Sequence, residues 1–158
     1  MRRAITGFHR DAEEHWVAEL SCGHGQHVRH DPPLSERPWV LSEAGRAGRI
    51  GETLDCRRCD ARELPADFAP YKETPLFDAE SLPAALQARH ETRAGVWALI
   101  QVAEGRVRYR IHAPFDSEEE LAPGTPGVVL PEVPHQLELL GPVALRVEFW
   151  RRRPEPGA

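Results

Sequence analysis

The chain has 158 residues, 41% of them hydrophobic, and a formal net charge of -5 at pH 7. That length holds one ordinary domain or two small ones, and the apolar share argues against a chain disordered throughout. The acidic balance argues against a phosphate-seeking surface, and fifteen prolines favour short strands and turns over long helices.

The opening run MRRAITGFHRD lacks the apolar centre of a signal peptide. No stretch approaches the roughly 18 apolar residues that span a bilayer. The expectation is a cytoplasmic protein with no membrane partner. In that compartment three cysteines read as thiolate ligands rather than as disulfides.

Residues 4–9 and 15–20 flank the polar turn Arg10 to Glu14, which is a hairpin pattern. If the second strand persists, Cys22 and His24 continue one of its faces, because side chains at i and i+2 point to the same side. Asp31-Pro32-Pro33 ends that strand. Ser42 suits an N-cap and Gly51 a helix stop, so one short helix is predicted between them. It returns the chain to Cys56-Arg57-Arg58-Cys59.

Residues 60–77 contain Pro65, Pro70 and Pro75 without periodicity. A linker is expected near 61–69, separating a domain over 1–62 from one over 63–152. Pro83 to Gln87 reads as a helical turn. From Gly95 the pattern is β: residues 96–102 are expected to pair with 106–111 across Ala103-Glu104-Gly105. Arg106, Arg108 and Arg110 alternate with apolar residues and give that strand one wet face. The acidic run Asp116 to Glu120 reads as a solvated loop. Short strands follow at 127–130, 135–139 and 143–150, and residues 153–158 read as a disordered tail. The fold class is therefore mainly β: a small zinc-stabilised β domain with one short helix, then a β-barrel or jelly roll.

Zinc prefers four tetrahedral ligands drawn from thiolates and imidazoles. A CxxC turn sets two sulfurs on one side, and the upstream Cys-Gly-His supplies two more donors. The first choice of ligands is Cys22, His24, Cys56 and Cys59, with His27 and His30 as rivals for the single imidazole place. Such a set has no open position, so its role is structural. In the second half His135 shares a strand face with Leu137 and Leu139, which points an imidazole inward. His90 stands just before the first long strand, so the two histidines can meet across a barrel. Glu148 is the carboxylate that would complete a metal set, although alternation groups it with Arg146 and Trp150, away from Val147 and Phe149.

Two resemblances add to this reading. Ile5 to His9, Trp16 to Pro33 and Arg37 to Leu41, followed by Cys56 and Cys59, resemble a short bacterial domain family of unknown function. That likeness covers roughly residues 2–60 and implies no activity. His90-x-Thr92-x-x-Gly95-Val96-Trp97, Glu104-Gly105, Leu130-Pro131-x-x-x-His135 and Val147-Glu148-Phe149 resemble the tellurite-resistance-associated cupin-like domain. This second likeness covers residues 66–151. It implies a cupin barrel that often binds a divalent metal, here through His90, His135 and Glu148, and pairing of exposed sheets into a homodimer. The sequence departs from the cupin pattern in two places. The usual His-x-His positions fall near Thr92 and Ala94, and the turn from Pro131 to His135 is one residue short.

Three functions compete. The first is a non-catalytic zinc module joined to a cupin that binds a small molecule or oxyanion, in tellurite or another stress. The second is a metal-dependent cupin enzyme of dioxygenase or isomerase type. The third is nucleic-acid binding through Arg46, Arg49, Arg57 and Arg58, against which the acidic charge and the lack of an aromatic stacking run both argue. No Gly-rich cofactor loop is present, so methyl transfer by these residues is not expected.

Overall fold

The structure is a computed structural model that describes residues 1–154. It divides into two units, the first Met1–Glu63 and the second starting at Leu64. In the first unit β1 (Arg2–Arg10), β2 (Trp16–Leu20), β3 (Gly25–His27) and β4 (Thr53–Asp55) form one antiparallel sheet in the order β3-β2-β1-β4. The expected hairpin is β1 with β2, paired from Ile5 opposite Leu20 to Arg10 opposite Trp16 with a register shift between Ile5 and Gly7. Ile5, Val17, Ala18, Leu20, Val28 and Val40 supply its aliphatic core.

The strand does not persist through Cys22. The Gly23 N–H donates to the Leu20 carbonyl at 2.8 Å, the Leu20 N–H donates to the His24 carbonyl at 3.0 Å, and Gly23 has φ +91. Cys22 and His24 converge because they sit on this tight turn between β2 and β3, not because a strand alternates. The predicted helix is also shorter than expected. Ser42 caps it, its Oγ accepting from the Gly45 N–H at 3.1 Å, but α1 spans only Glu43–Ala47. Glycine is a poor helix former, which explains the early end. Gly45 is held there by contact: a Cβ on it would lie 2.4 Å from the Trp39 carbonyl oxygen. A last short helix, α2 (Arg57–Asp60), begins just after Cys56.

In the second unit the elements are β5 (Phe68–Glu73), β6 (Phe77–Asp78), α3 (Ala84–Gln87), β7 (Trp97–Glu104), β8 (Val107–Ile111), β9 (Ser117–Leu121), β10 (Gly127–Val129), β11 (His135–Leu139) and β12 (Ala144–Arg152). One sheet runs β10-β7-β12-β5, with β6 also on β12. The other runs β11-β8-β9. Tyr109 of β8 is buried and gives its hydroxyl proton to the Val128 carbonyl of β10 at 3.1 Å, which ties the inner faces together. The molecule is mainly β, as expected. No helix among the described residues is long and apolar enough to cross a membrane.

Four expectations need correction. The strands β7 and β8 do not pair; they belong to different sheets. The chain leaves one for the other at Gly105, where φ is +75 and a Cβ would lie 2.1 Å from the Pro142 carbonyl oxygen. Gly105→Ala should therefore lower the stability of this unit by more than about 1 kcal/mol, measured by urea unfolding, since both the conformation and the space refuse a side chain. The aperiodic stretch 60–77 contains β5, whose first two residues overlap the linker expected near 61–69. It lies at the sheet edge, where Pro70 loses no ladder bond, so proline there does not forbid a strand. The acidic run is β9, not a loop. Arg106 meets Glu120 at 2.8 Å and Arg110 meets Glu118 at 2.6 Å, while Arg108 reaches Glu138 of β11 at 2.7 Å. Opposite charges across strands support pairing that a bare acidic run would resist. Finally, β12 runs on to Arg152, and the Arg153 N–H donates to the Asp67 carbonyl at 3.0 Å. The proposed tail from 153 thus begins as anchored chain, and its residues 155–158 lie outside the described part.

Candidate metal centre and second-unit cavity

The first-unit sheet sets up the centre. Cys22 and His24 occupy the β2–β3 turn. Pairing of β4 with β1, Arg2 opposite Asp55 and Arg3 opposite Leu54, delivers Cys56 to the same place. The Cys56 N–H donates to the Met1 carbonyl at 2.7 Å, and the Met1 amino group pairs with Asp60 at the end of α2. One turn of α2 then brings Cys59 alongside Cys56.

All four side chains are buried, and none of the cysteines is in a disulfide. His24 Nδ1 lies 3.5 Å from Cys22 Sγ, 3.4 Å from Cys56 Sγ and 3.8 Å from Cys59 Sγ. The Cys22 and Cys56 sulfurs are 3.9 Å apart. All four donor atoms fall within 4.8 Å of one another, so the group could hold a metal ion. A hydrogen bond with Cys59 holds the Cys22 thiol below its ordinary range. The same bond, and then burial, pushes Cys59 up to about 12, and burial raises Cys56. Three sulfurs in one dry place cannot all ionise by themselves; a cation at their centre removes that conflict.

The rival histidines are engaged elsewhere. Exposed His27 meets Asp11 through Nε2 at 2.7 Å, and that bond is the main reason the Asp11 carboxyl falls to about 2. His30 Nδ1 accepts the Arg37 N–H at 3.0 Å. Sequence reasoning missed Arg3, which is 3% exposed and hydrogen-bonds Cys59, favouring its charged form. A signal existed: Arg3 stands two residues before buried Ile5 on β1 and shares its face.

In the second unit His90 and His135 do meet. Their backbones exchange hydrogen bonds of 3.0 and 2.8 Å, and their ring centres are 4.2 Å apart. His90 Nδ1 bonds the Ala88 carbonyl and His135 Nδ1 the Val133 carbonyl, both at 2.9 Å. They line a cavity of about 360 Å³ walled by Ala98, Ile100, Val129, Leu137, Val147 and Phe149, with exposed Lys72, Glu91 and Arg93 also on its lining. Glu148 does not join them. Val147 and Phe149 line the cavity, and Glu148, between them on β12, turns the other way.

Burial pushes the His135 imidazole down to about 4, with His90 and His112 adding to the shift. The unfolded chain takes up this proton near pH 6.5 and the folded chain does not. His135 therefore contributes about 3 kcal/mol above that pH, which is lost as pH falls from 6.5 towards 4. An NMR titration should find its ring still neutral at pH 5.5, and His135→Phe should flatten the acid side of the stability profile.

Residues 6–63 match a family described as a protein of unknown function, DUF3565. Residues 72–147 match the TehB-like domain. The chain matches a DUF3565 domain and, after it, a TehB-like domain. This is the order of the two resemblances read from the sequence. TehB from Haemophilus influenzae is similar in structure, with a TM-score of 0.51 and 22% identity, over 55% of this chain and 32% of that one. The match thus spans about a third of the Haemophilus protein. A protein from Escherichia coli K12 is similar with a TM-score of 0.54 and 24% identity, over 58% of this chain and 98% of that one. At such identities the likeness shows fold alone. No curated protein matches the chain. Most of the cavity lining lies within the TehB-like match, and the four-ligand cluster lies within the DUF3565 match.

Proposed function

We propose that the chain is a zinc-stabilised module joined to a cupin-like domain that binds a small molecule. The observation that carries the metal half is the spacing of the donor atoms. Zinc bonds of about 2.3 Å to sulfur and about 2.05 Å to nitrogen, at tetrahedral angles, separate two sulfurs by about 3.8 Å and sulfur from nitrogen by about 3.6 Å. Here the Cys22 and Cys56 sulfurs are 3.9 Å apart, the three sulfur–nitrogen distances are 3.4 to 3.8 Å, and all four donors lie within 4.8 Å of one another. Three thiolates and an imidazole suit zinc far better than magnesium or calcium, which take oxygen. Four protein ligands leave no place for a substrate, so the zinc would hold the fold together.

The small-molecule half is supported by the cavity and its histidine pair. Its apolar walls favour an organic ligand over a compact oxyanion, which would leave most of that surface unfilled. Two imidazoles without Glu148 fall short of the three protein ligands usual at a catalytic metal, and this counts against the enzyme reading. A place in tellurite or other stress has the TehB-like match as its support. Elemental analysis of protein purified without chelator tests the proposal: one zinc per chain is expected. A metal-free, folded protein would refute the zinc module, and a second metal lost on His135→Ala would revive the enzyme reading.

A further inference from the structure

We propose that the cavity of the second unit takes an uncharged, largely apolar molecule bearing a hydrogen-bond donor, a phenol or alcohol, and that the histidine pair accepts that donor. This deepens the small-molecule reading above and rests on it. A carbonyl oxygen only accepts. Nδ1 of His90 must therefore carry the proton it gives to Ala88, and Nδ1 of His135 the proton it gives to Val133. In a neutral ring the other nitrogen, Nε2, is then an acceptor and nothing else. Among the described residues neither Nε2 has a hydrogen-bond partner in the protein, while both rings line the cavity. His135 is 3% exposed, so little of its ring meets bulk water, and what remains accessible lines the cavity. A ligand that fills the cavity displaces water from this acceptor, and its own O–H or N–H replaces the lost hydrogen bond.

The ligand's charge follows from the same geometry. Burial disfavours a proton on His135, and a second imidazole 4.2 Å away disfavours it further. An anion placed against the pair would face two lone pairs. Lys72 and Arg93 on the cavity lining are offset in part by Glu91, and all three are exposed, where water screens them. The remaining walls are mostly hydrocarbon, with Ala98, Ile100, Val129, Leu137, Val147 and Phe149 among them; Tyr71 and Thr92 add hydroxyls, and that of Thr92 is spent on the Val96 carbonyl at 2.7 Å. About 360 Å³ lies at the small end of the range for organic ligands and accommodates a bicyclic aromatic.

Three probes of one size separate the possibilities: 2-naphthol, which has a donor; 2-methoxynaphthalene, which has none; and 2-naphthoate, which is an anion. Calorimetric titration of the full chain at pH 7.5 should show 2-naphthol binding about tenfold or more tighter than either of the others. His135→Phe should reduce the advantage over 2-methoxynaphthalene to within about threefold while keeping apolar binding. Should that variant fail to fold, the nitrogen shift of His135 Nε2 in the unaltered protein replaces it: 2-naphthol must move it and 2-methoxynaphthalene must not. Equal binding of 2-naphthol and its methyl ether would overturn the proposal. Tightest binding of 2-naphthoate would overturn the ligand class and leave the small-molecule reading standing. If none of the three binds, both fail.

Discussion

Cys56→Ser combined with Cys59→Ser should unfold the first unit and leave the second intact. The first unit is a 63-residue stretch whose aliphatic core is Ile5, Val17, Ala18, Leu20, Val28 and Val40. Domains of this size commonly need a covalent or metal staple, because too little surface is buried to offset chain entropy. Here the remaining buried groups are the four candidate ligands and Arg3. The ligands join the β2–β3 turn to α2, which is otherwise tied to the sheet by the short strand β4, the Cys56 N–H on the Met1 carbonyl and the Met1 amino group on Asp60. A structural zinc contributes an apparent ~10–16 kcal/mol at neutral pH, comparable with the ~5–15 kcal/mol stability of a whole domain. Removing two thiolates should release the ion and most of that energy. The second unit has its own core of Trp97, Ile100, Tyr109, Ile111, Leu121 and Leu145. Hydrogen exchange followed by mass spectrometry should show peptides from 1–63 losing protection and those from 64–154 keeping it. A double variant with unchanged metal content and unchanged protection in 1–63 would rule out the closed site.

What the sequence revealed depended on how local the physics was. The β1–β2 hairpin, the span of β11 from His135 to Leu139 and the convergence of Cys22, His24, Cys56 and Cys59 follow from alternation, turn residues and donor spacing. Each is settled within a few residues or by the demand of one ion for four donors. The departures were set by distant neighbours. Ala103-Glu104-Gly105 is a fitting hairpin loop in isolation, and only Pro142, some 37 positions on, closes the space that sends β8 into another sheet. Asp116 to Glu120 looks like repelling charge until the arginines of β8 lie opposite. Pro70 reads as a breaker until β5 is known to be an edge. His27 and His30 were chemically equal to His24; what separates them is that Asp11 and the Arg37 N–H take them up.

Arg3 gives the second large effect. Three thiolates around a divalent ion leave one net negative charge in a buried place. The Arg3 guanidinium, 3% exposed and bonded to Cys59, supplies one positive charge beside it. The assembly is then neutral, which is the condition under which burying ions is tolerable. Arg3→Leu fills much of the same volume and removes the charge. It should destabilise the unit by about 3–5 kcal/mol, the usual result of leaving a buried charge without its partner. Groups that hold a metal's ligands typically alter affinity by 10–100-fold, so zinc should bind weaker by a similar factor. Arg3→Lys keeps the charge but not the planar fork, and should recover part of both losses. Competition with a chromophoric chelator measures the affinity, and urea unfolding of zinc-loaded protein measures the stability. The opposite sign is physically available: replacing a buried ion pair by hydrocarbon often stabilises a protein when both charges go. If Arg3→Leu binds zinc as tightly as the parent and is more stable, the cluster carries no net charge that needs cancelling, and the three-thiolate assignment itself would have to be given up.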